Sequence, residues 1–201
     1  MSNLKETILN PILKGNPITV LILGICSSLA VTVELKGAIV MALSVTIVTG
    51  LSSYVCSLLR KTIPNRVRII VQLVVVALMV IVVDQFLKAY SYTIEKQLSV
   101  YIGLIITNCI VMGRIEAYAL GNKPLPSLLD GLANGLGYGL ILVIVAFFRE
   151  LFGSGTLFGV PVLSAIGYTN NGLVILPPFA LILLGCIIWI QRSIQKDLQE
   201  K

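Results

Sequence analysis

What most constrains this chain is a series of apolar runs near 20 residues long, separated by short polar links. About 20 apolar residues is the length of helix that crosses a ~30 Å hydrocarbon core. Six such segments lie at 18–33, 37–59, 67–87, 98–113, 129–149 and 172–191. Helix is the conformation they imply, because inside lipid every backbone N–H and C=O must find its partner within the protein. Only 12% of the residues are charged, half of the roughly 25% usual in soluble domains. The reading is an all-α integral membrane protein, a single polytopic domain over residues 1–201 with six transmembrane segments. A seventh span within 151–171 is disfavoured by Gly153, Gly155 and Pro161.

The second, third, fifth and sixth segments are long enough to cross unaided. The first and fourth are shorter, at roughly 16 residues against the ~20 of a full span. Both are broken in mid-run, by Gly24-Ile25-Cys26-Ser27-Ser28 and by Thr107-Asn108-Cys109. If the first were helical from its start, Cys26 would sit ~12 Å along it. Each half of the chain (about 10–90 and 91–193) thus holds one short or broken segment and two long ones. Three spans per half turn the second half over, which makes an inverted repeat of three plus three.

Positive charge gives the orientation. With six spans, Lys5, Lys14, Arg60, Lys61, Arg66, Arg68, Arg114, Lys123, Arg192, Lys196 and Lys201 fall on one side, and Lys36, Lys88, Lys96 and Arg149 on the other. That places both termini in the cytoplasm. The net charge of +6 lies between apolar runs rather than along a polar face, so it suits lipid headgroups and not nucleic acid. Met1 to Pro17 is polar and carries no sign of a cleavable signal peptide.

The chain has no histidine, which removes imidazole acid–base chemistry and His-ligated metals. Its four cysteines form no C-x-x-C pair. Paired, interrupted segments are the best sequence pointer to a midplane site, and here both contain a cysteine, Cys26 and Cys109. Two thiolates in a bilayer are costly unless a metal neutralises them. An iron–sulfur cluster takes four ligands, usually all Cys, so a partner would supply two. The other reading is that both are small buried hydrophobes, which is also the reading for Cys56 and Cys186.

Asp84, four residues before Lys88, and Asp130, at the head of the fifth segment, are candidates for a cation path. The alternatives are an interfacial carboxylate paired with lysine, and an acid at a helix N-terminus. Arg149 and Glu150 read as an interfacial ion pair. Gly131, Gly135 and Gly139 form a small-xxx-small stripe for close helix packing. Gly135-Leu136-Gly137-Tyr138-Gly139 has neither the pore helix of a potassium filter nor the strand–turn–helix setting of a dinucleotide loop. Pro64-Asn65 and Pro124-Leu125-Pro126 read as loops.

The sequences Leu23-Gly24-Ile25-Cys26-Ser27-Ser28-Leu29-Ala30-Val31-Thr32 and Gly103-Leu104-Ile105-Ile106-Thr107-Asn108-Cys109-Ile110-Val111-Met112-Gly113-Arg114 closely resemble those of the D-type subunits of sodium-translocating NADH:quinone oxidoreductases. So do Arg68-Ile69-Ile70-Val71-Gln72, Val82-Val83-Asp84-Gln85, Asp130-Gly131 and Arg149-Glu150-Leu151, and the likeness runs from about residue 10 to 193. The E-type subunit of the related Rnf complex (a ferredoxin:NAD oxidoreductase) shares the Thr-Asn-Cys-Ile-Val core, but the Val-Asp-Gln stretch and the short 151–171 link look more like the D type.

The resemblance implies a six-subunit complex of the bacterial inner membrane, a translocase that passes electrons from NADH to ubiquinone and exports Na⁺. It implies that this chain pairs with a homologous E-type subunit of opposite orientation around a [2Fe–2S] cluster, with Cys26 and Cys109 as its two ligands. FAD, FMN, riboflavin and quinone would belong to the other five subunits, and no complete active site to this one. Two rivals come from other classes: a metal-free inverted-repeat transporter and a subunit that only scaffolds its neighbours.

Overall fold

A computed structural model of the chain describes residues 16–64, 66–90, 101–157, 160–161 and 172–194. The described chain opens in a turn over 17–20, not a helix. Asn16 fixes that turn: its Oδ1 accepts the Ile18 N–H at 3.0 Å, and its Nδ2 donates to the Gly137 carbonyl at 2.8 Å. The chain then passes Ile22 (φ 56) and Gly24 (φ 81), both left-handed, before helix begins. The seven-residue half-helix α1 (Ile25–Val31) follows. The first apolar segment is thus broken as expected, and its opening residues form turn and extended chain ahead of the half-helix.

Helix α2 (Leu35–Leu59) and helix α3 (Arg68–Tyr90) come next. The fourth apolar segment is broken into α4 (Ile102–Ile106) and α5 (Cys109–Arg114), and α5 runs on through a π-helical turn, Ile115–Ala119. Helix α6 (Pro124–Gly153) is longer than the expected 129–149. The Pro124-Leu125-Pro126 stretch is its first turn and not a loop, because proline at the first helical positions gives up an N–H that has no intrahelical partner anyway. A two-residue antiparallel pair, β1 (Thr156–Leu157) and β2 (Val160–Pro161), follows. The last segment is divided at Leu176 into α7 (Gly172–Ile175) and α8 (Pro177–Ile194).

Four of these helices, α2, α3, α6 and α8, are long and apolar enough to cross a membrane. They correspond to the second, third, fifth and sixth apolar segments. The centre and the rim differ sharply: 61% of the apolar stretch of α2 and of α6 is buried, against 22% in α3 and 11% in α8. Ile69, Ile70, Val74 and Phe86 on α3 and Trp189, Ile190 and Ile194 on α8 stand exposed, as side chains that face lipid do.

The glycine stripe makes the centre. A Cβ at Gly135 would lie 2.6 Å from the Thr46 Cα, one at Gly131 2.8 Å from the Thr49 carbonyl, and one at Gly139 3.0 Å from the Ala42 Cβ. Only glycine lets the backbones come this close. Counted from the first residue of each helix, Ala42, Thr46 and Gly50 hold the places in α2 that Gly131, Gly135 and Gly139 hold in α6. The contacts run Ala42 to Gly139, Thr46 to Gly135 and Gly50 to Gly131, so the crossing is self-complementary about Thr46 and Gly135. Met41, Val45 and Val48 of α2 pack with Leu142, Val145 and Ala146 of α6 in the core around it.

Candidate functional site

Both broken segments present their cysteine at the start of a half-helix. Asn108 sets the second start. Its Oδ1 accepts the Ile110 N–H at 3.0 Å, the usual role of a capping Asn. In the first segment Gly24 replaces a capping side chain, and its N–H points across the break to the Cys109 Sγ at 2.8 Å. A side chain at 24 would be strained: the φ of 81° suits glycine, and a Cβ would come within 2.6 Å of Ile110 Cδ1 and 3.1 Å of Tyr138 Cε2.

These two ends bring the thiols together. The Gly24 N–H that meets the Cys109 sulfur stands two residues before Cys26, which puts the two thiols near one break. Cys26 is exposed and Cys109 half-buried, so the pair opens on the molecular surface. Among the described residues no three His, Cys, Asp or Glu side chains converge on one point. This chain's contribution to any metal there is thus two thiolates and a backbone N–H already directed at sulfur. That donor set fits half of a four-cysteine iron–sulfur site.

Below the thiols lies a buried polar network. The Ser27 hydroxyl donates to the Gly24 carbonyl at 3.0 Å, stands 2.8 Å from the Tyr138 hydroxyl, and accepts from Asn108 Nδ2 at 3.3 Å. Ser27, Asn108 and Tyr138 are all fully buried. In the sequence, Ser27 and Asn108 read only as residues that loosen a helix, and the Tyr138 side chain did not stand out. Its signal was a tyrosine inside an apolar span, since a buried phenol needs a partner for its hydroxyl.

The far ends of the half-helices are also held. Arg149 is 1% exposed and donates to the Leu29 carbonyl and Thr32 Oγ1 at the end of α1, and to the Ile175 carbonyl. Glu150 accepts the Leu35 N–H at 2.7 Å, at the start of α2. The expected Arg149–Glu150 ion pair is thus corrected: adjacent residues on a helix do not face each other, and each reaches a different chain end. Arg60 stands as far beyond the start of α2 as Arg149 does beyond the start of α6, and it donates to the Gly121 and Asn122 carbonyls after the π-helical turn.

A family model described as Rnf-Nqr subunit, membrane protein, matches residues 4–188. The chain belongs to this family. Its relatives include the D-type subunits of Na⁺-translocating NADH-quinone reductases. That of Serratia proteamaculans (strain 568) is 54% identical over 202 residues, covering 98% of this chain and 97% of the relative. That of Haemophilus influenzae (strain PittGG) is 57% identical over 201 residues, with the same coverage. That of Pseudomonas aeruginosa (strain LESB58) is 54% identical over 198 residues, 96% of this chain and 88% of its own length.

The remaining candidates of this family member are scattered. Asp84 pairs with Lys88 at 2.9 Å on the rim helix α3. Asp130 lies a full turn and more inside α6, not at its head, and is 4% exposed. Arg114 meets it with two bonds, Nε to Oδ2 at 3.0 Å and Nη2 to Oδ1 at 2.5 Å, and Asn134 Nδ2 adds a third at 3.1 Å. Cys56 is fully buried in the core, as a packing residue should be, whereas Cys186 is exposed on α8.

Proposed function

We propose that this chain is the membrane subunit of a Na⁺-translocating NADH:ubiquinone oxidoreductase that holds half of an intramembrane electron relay. Cys26 and Cys109 supply two of the four ligands of a [2Fe–2S] cluster, and a homologous E-type subunit of opposite orientation supplies the other two. One observation carries the reading: two segments far apart in sequence each break at a half-helix that begins with a cysteine, and a backbone N–H of the first break is directed at the sulfur of the second. Such a cluster supplies a one-electron carrier within the low-dielectric core.

The work of the chain's own residues follows from their places. Cys26 and Cys109 present sulfur at an open face where a second subunit can close the site. Gly24 offers its N–H to developing negative charge on the Cys109 sulfur. Arg149 and Arg60 fix the far ends of the two broken segments, and the apolar helices behind them exclude water. FAD, FMN, riboflavin and quinone belong, on this reading, to partner subunits of a six-subunit assembly.

The proposal extends to topology. The self-complementary crossing of α2 and α6, and the matched placing of Arg60 and Arg149, support an inverted repeat whose broken first and fourth segments complete six crossings. The Lys and Arg distribution supports both termini in the cytoplasm, and the family resemblance supports a bacterial inner-membrane setting. Asp130 and Asp84 are candidates for the Na⁺ path, each held in an ion pair, with Arg114 and Lys88 respectively.

Iron and acid-labile sulfide in the purified complex test the central claim. Cys26→Ala and Cys109→Ala should each lose about two irons relative to the parent while the flavin content stays unchanged. Unchanged iron in both variants makes the cysteines packing residues, and a metal-free transporter or a scaffold becomes the better reading.

A further inference from the structure

The five residues Gly135–Gly139 of α6 face two ways. Gly135 and Gly139 pack on α2, while the Gly137 carbonyl accepts from Asn16 and Tyr138 turns toward the broken segments. Close helix packing explains the glycines and leaves the tyrosine hydroxyl unexplained. A phenylalanine would fill the same space in an apolar span without bringing a polar group into it.

We propose that the Tyr138 hydroxyl is a positioning group for the Cys26–Cys109 pair, tying the two chain breaks together through Ser27. Ser27 follows Cys26, and Asn108 precedes Cys109. A serine hydroxyl has one proton and two lone pairs. Here the proton goes to the Gly24 carbonyl, and the lone pairs receive the Tyr138 O–H and the Asn108 N–H. Every hydrogen-bonding place on Ser27 is then filled, and the two segments are joined at one oxygen. The ring also lines the space beside Gly24, 3.1 Å from where a Cβ there would be. Gly24 in turn gives its N–H to the Cys109 sulfur. The hydroxyl therefore acts on the sulfurs by fixing the segments that carry them and by adding a fixed dipole to their surroundings. Hydrogen bonding and polarity around sulfur are among the properties that set a cluster's potential.

The inference rests on the two-cysteine reading, and the experiment separates their failures. Tyr138→Phe, Ser27→Ala, the double variant and Cys109→Ala are compared with the parent in the intact complex. The readouts are iron content, the electron paramagnetic resonance spectrum of the reduced centre and its midpoint potential. Tyr138→Phe should keep its iron, alter the spectrum and lower the potential by up to a tenfold change in the reduction equilibrium, about 59 mV for one electron. Ser27→Ala, which loses the bond to Tyr138 and the two to Gly24 and Asn108, should shift both at least as far, and the double variant no further than Ser27→Ala alone, because the Tyr138 bond is already gone there. A Tyr138→Phe centre with the parent's spectrum and potential overturns the proposal, as do single shifts that add in the double. If Tyr138→Phe does not assemble, Ser27→Ala decides on the same readouts.

A fourth measurement does not need the cluster. In complex stripped of iron, copper phenanthroline oxidises the thiols, and the yield of a Cys26–Cys109 disulfide reports their relative placement. Tyr138→Phe should lower that yield several-fold. Should Cys109→Ala retain the parent's iron, the cluster reading fails, and the disulfide yield alone decides: an unchanged yield overturns the role of Tyr138.

Discussion

Asp130 shows how a charge is kept inside the apolar part of this chain. Its carboxylate receives two bonds from the Arg114 guanidinium and one from the Asn134 amide, with side-chain exposures of 18% for Arg114 and 6% for Asp130. A planar guanidinium meets a carboxylate with both charges and both directions matched. Removing one member strands the other in a medium that solvates it poorly. Arg114→Met should therefore destabilise the folded chain by about 3–5 kcal/mol, seen as a lower midpoint for heat unfolding of the complex. Asp130→Asn in the same background should restore most of the loss, because the stranded charge is gone. An Arg114→Met variant as stable as the parent would show that water reaches Asp130. Arg114 also ends α5, the half-helix that begins at Cys109, so the pair ties that half-helix to α6.

At the scale of elements, the α2–α6 crossing dominates. Gly135 sits where any side chain meets the Thr46 backbone, and Gly135→Val should cost about 1–3 kcal/mol through overpacking. Gly37, near the start of α2, has nothing within 4 Å of where a Cβ would lie. Gly37→Ala should be neutral or stabilising by about 0.5–1 kcal/mol, because alanine loses less entropy in a helix. Parallel heat-unfolding curves of the two variants check both signs. The stripe itself was readable in the sequence, because a four-residue period of glycine has few other uses in lipid. Its partner was not, because helix pairing across nearly half the chain leaves no local mark. The broken segments were readable from their polar interruptions, and so was the cysteine that each interruption carries. The left-handed turn at Gly24 was not, nor was the second task of Asn108, which caps its own helix and reaches Ser27 as well. Arg149 and Glu150 misled because neighbours in sequence look like a pair until the helix turns them apart.

For the molecule as a whole, the proposed six crossings fix where every link must lie. Green fluorescent protein fused after Lys201 should fluoresce, and alkaline phosphatase fused after Lys96 should be active, since the first folds in the cytoplasm and the second beyond the membrane. A dark C-terminal fusion with active phosphatase at the same place would turn the chain over. The central crossing also bears on synthesis. Thr46 of α2 leaves the ribosome roughly 90 residues before Gly135, a lag of roughly 5–20 seconds at about 5–20 residues per second. During that lag α2 is in the bilayer with the face meant for α6 uncovered. Thr46 and Thr49 are provided for in the interim by their own helix, to whose Ala42 and Val45 carbonyls they donate at 2.7 and 2.6 Å. The hydroxyls that will lie against α6 thus need no partner to wait in lipid, and the nascent chain can hold half of its centre ready until the other half is made.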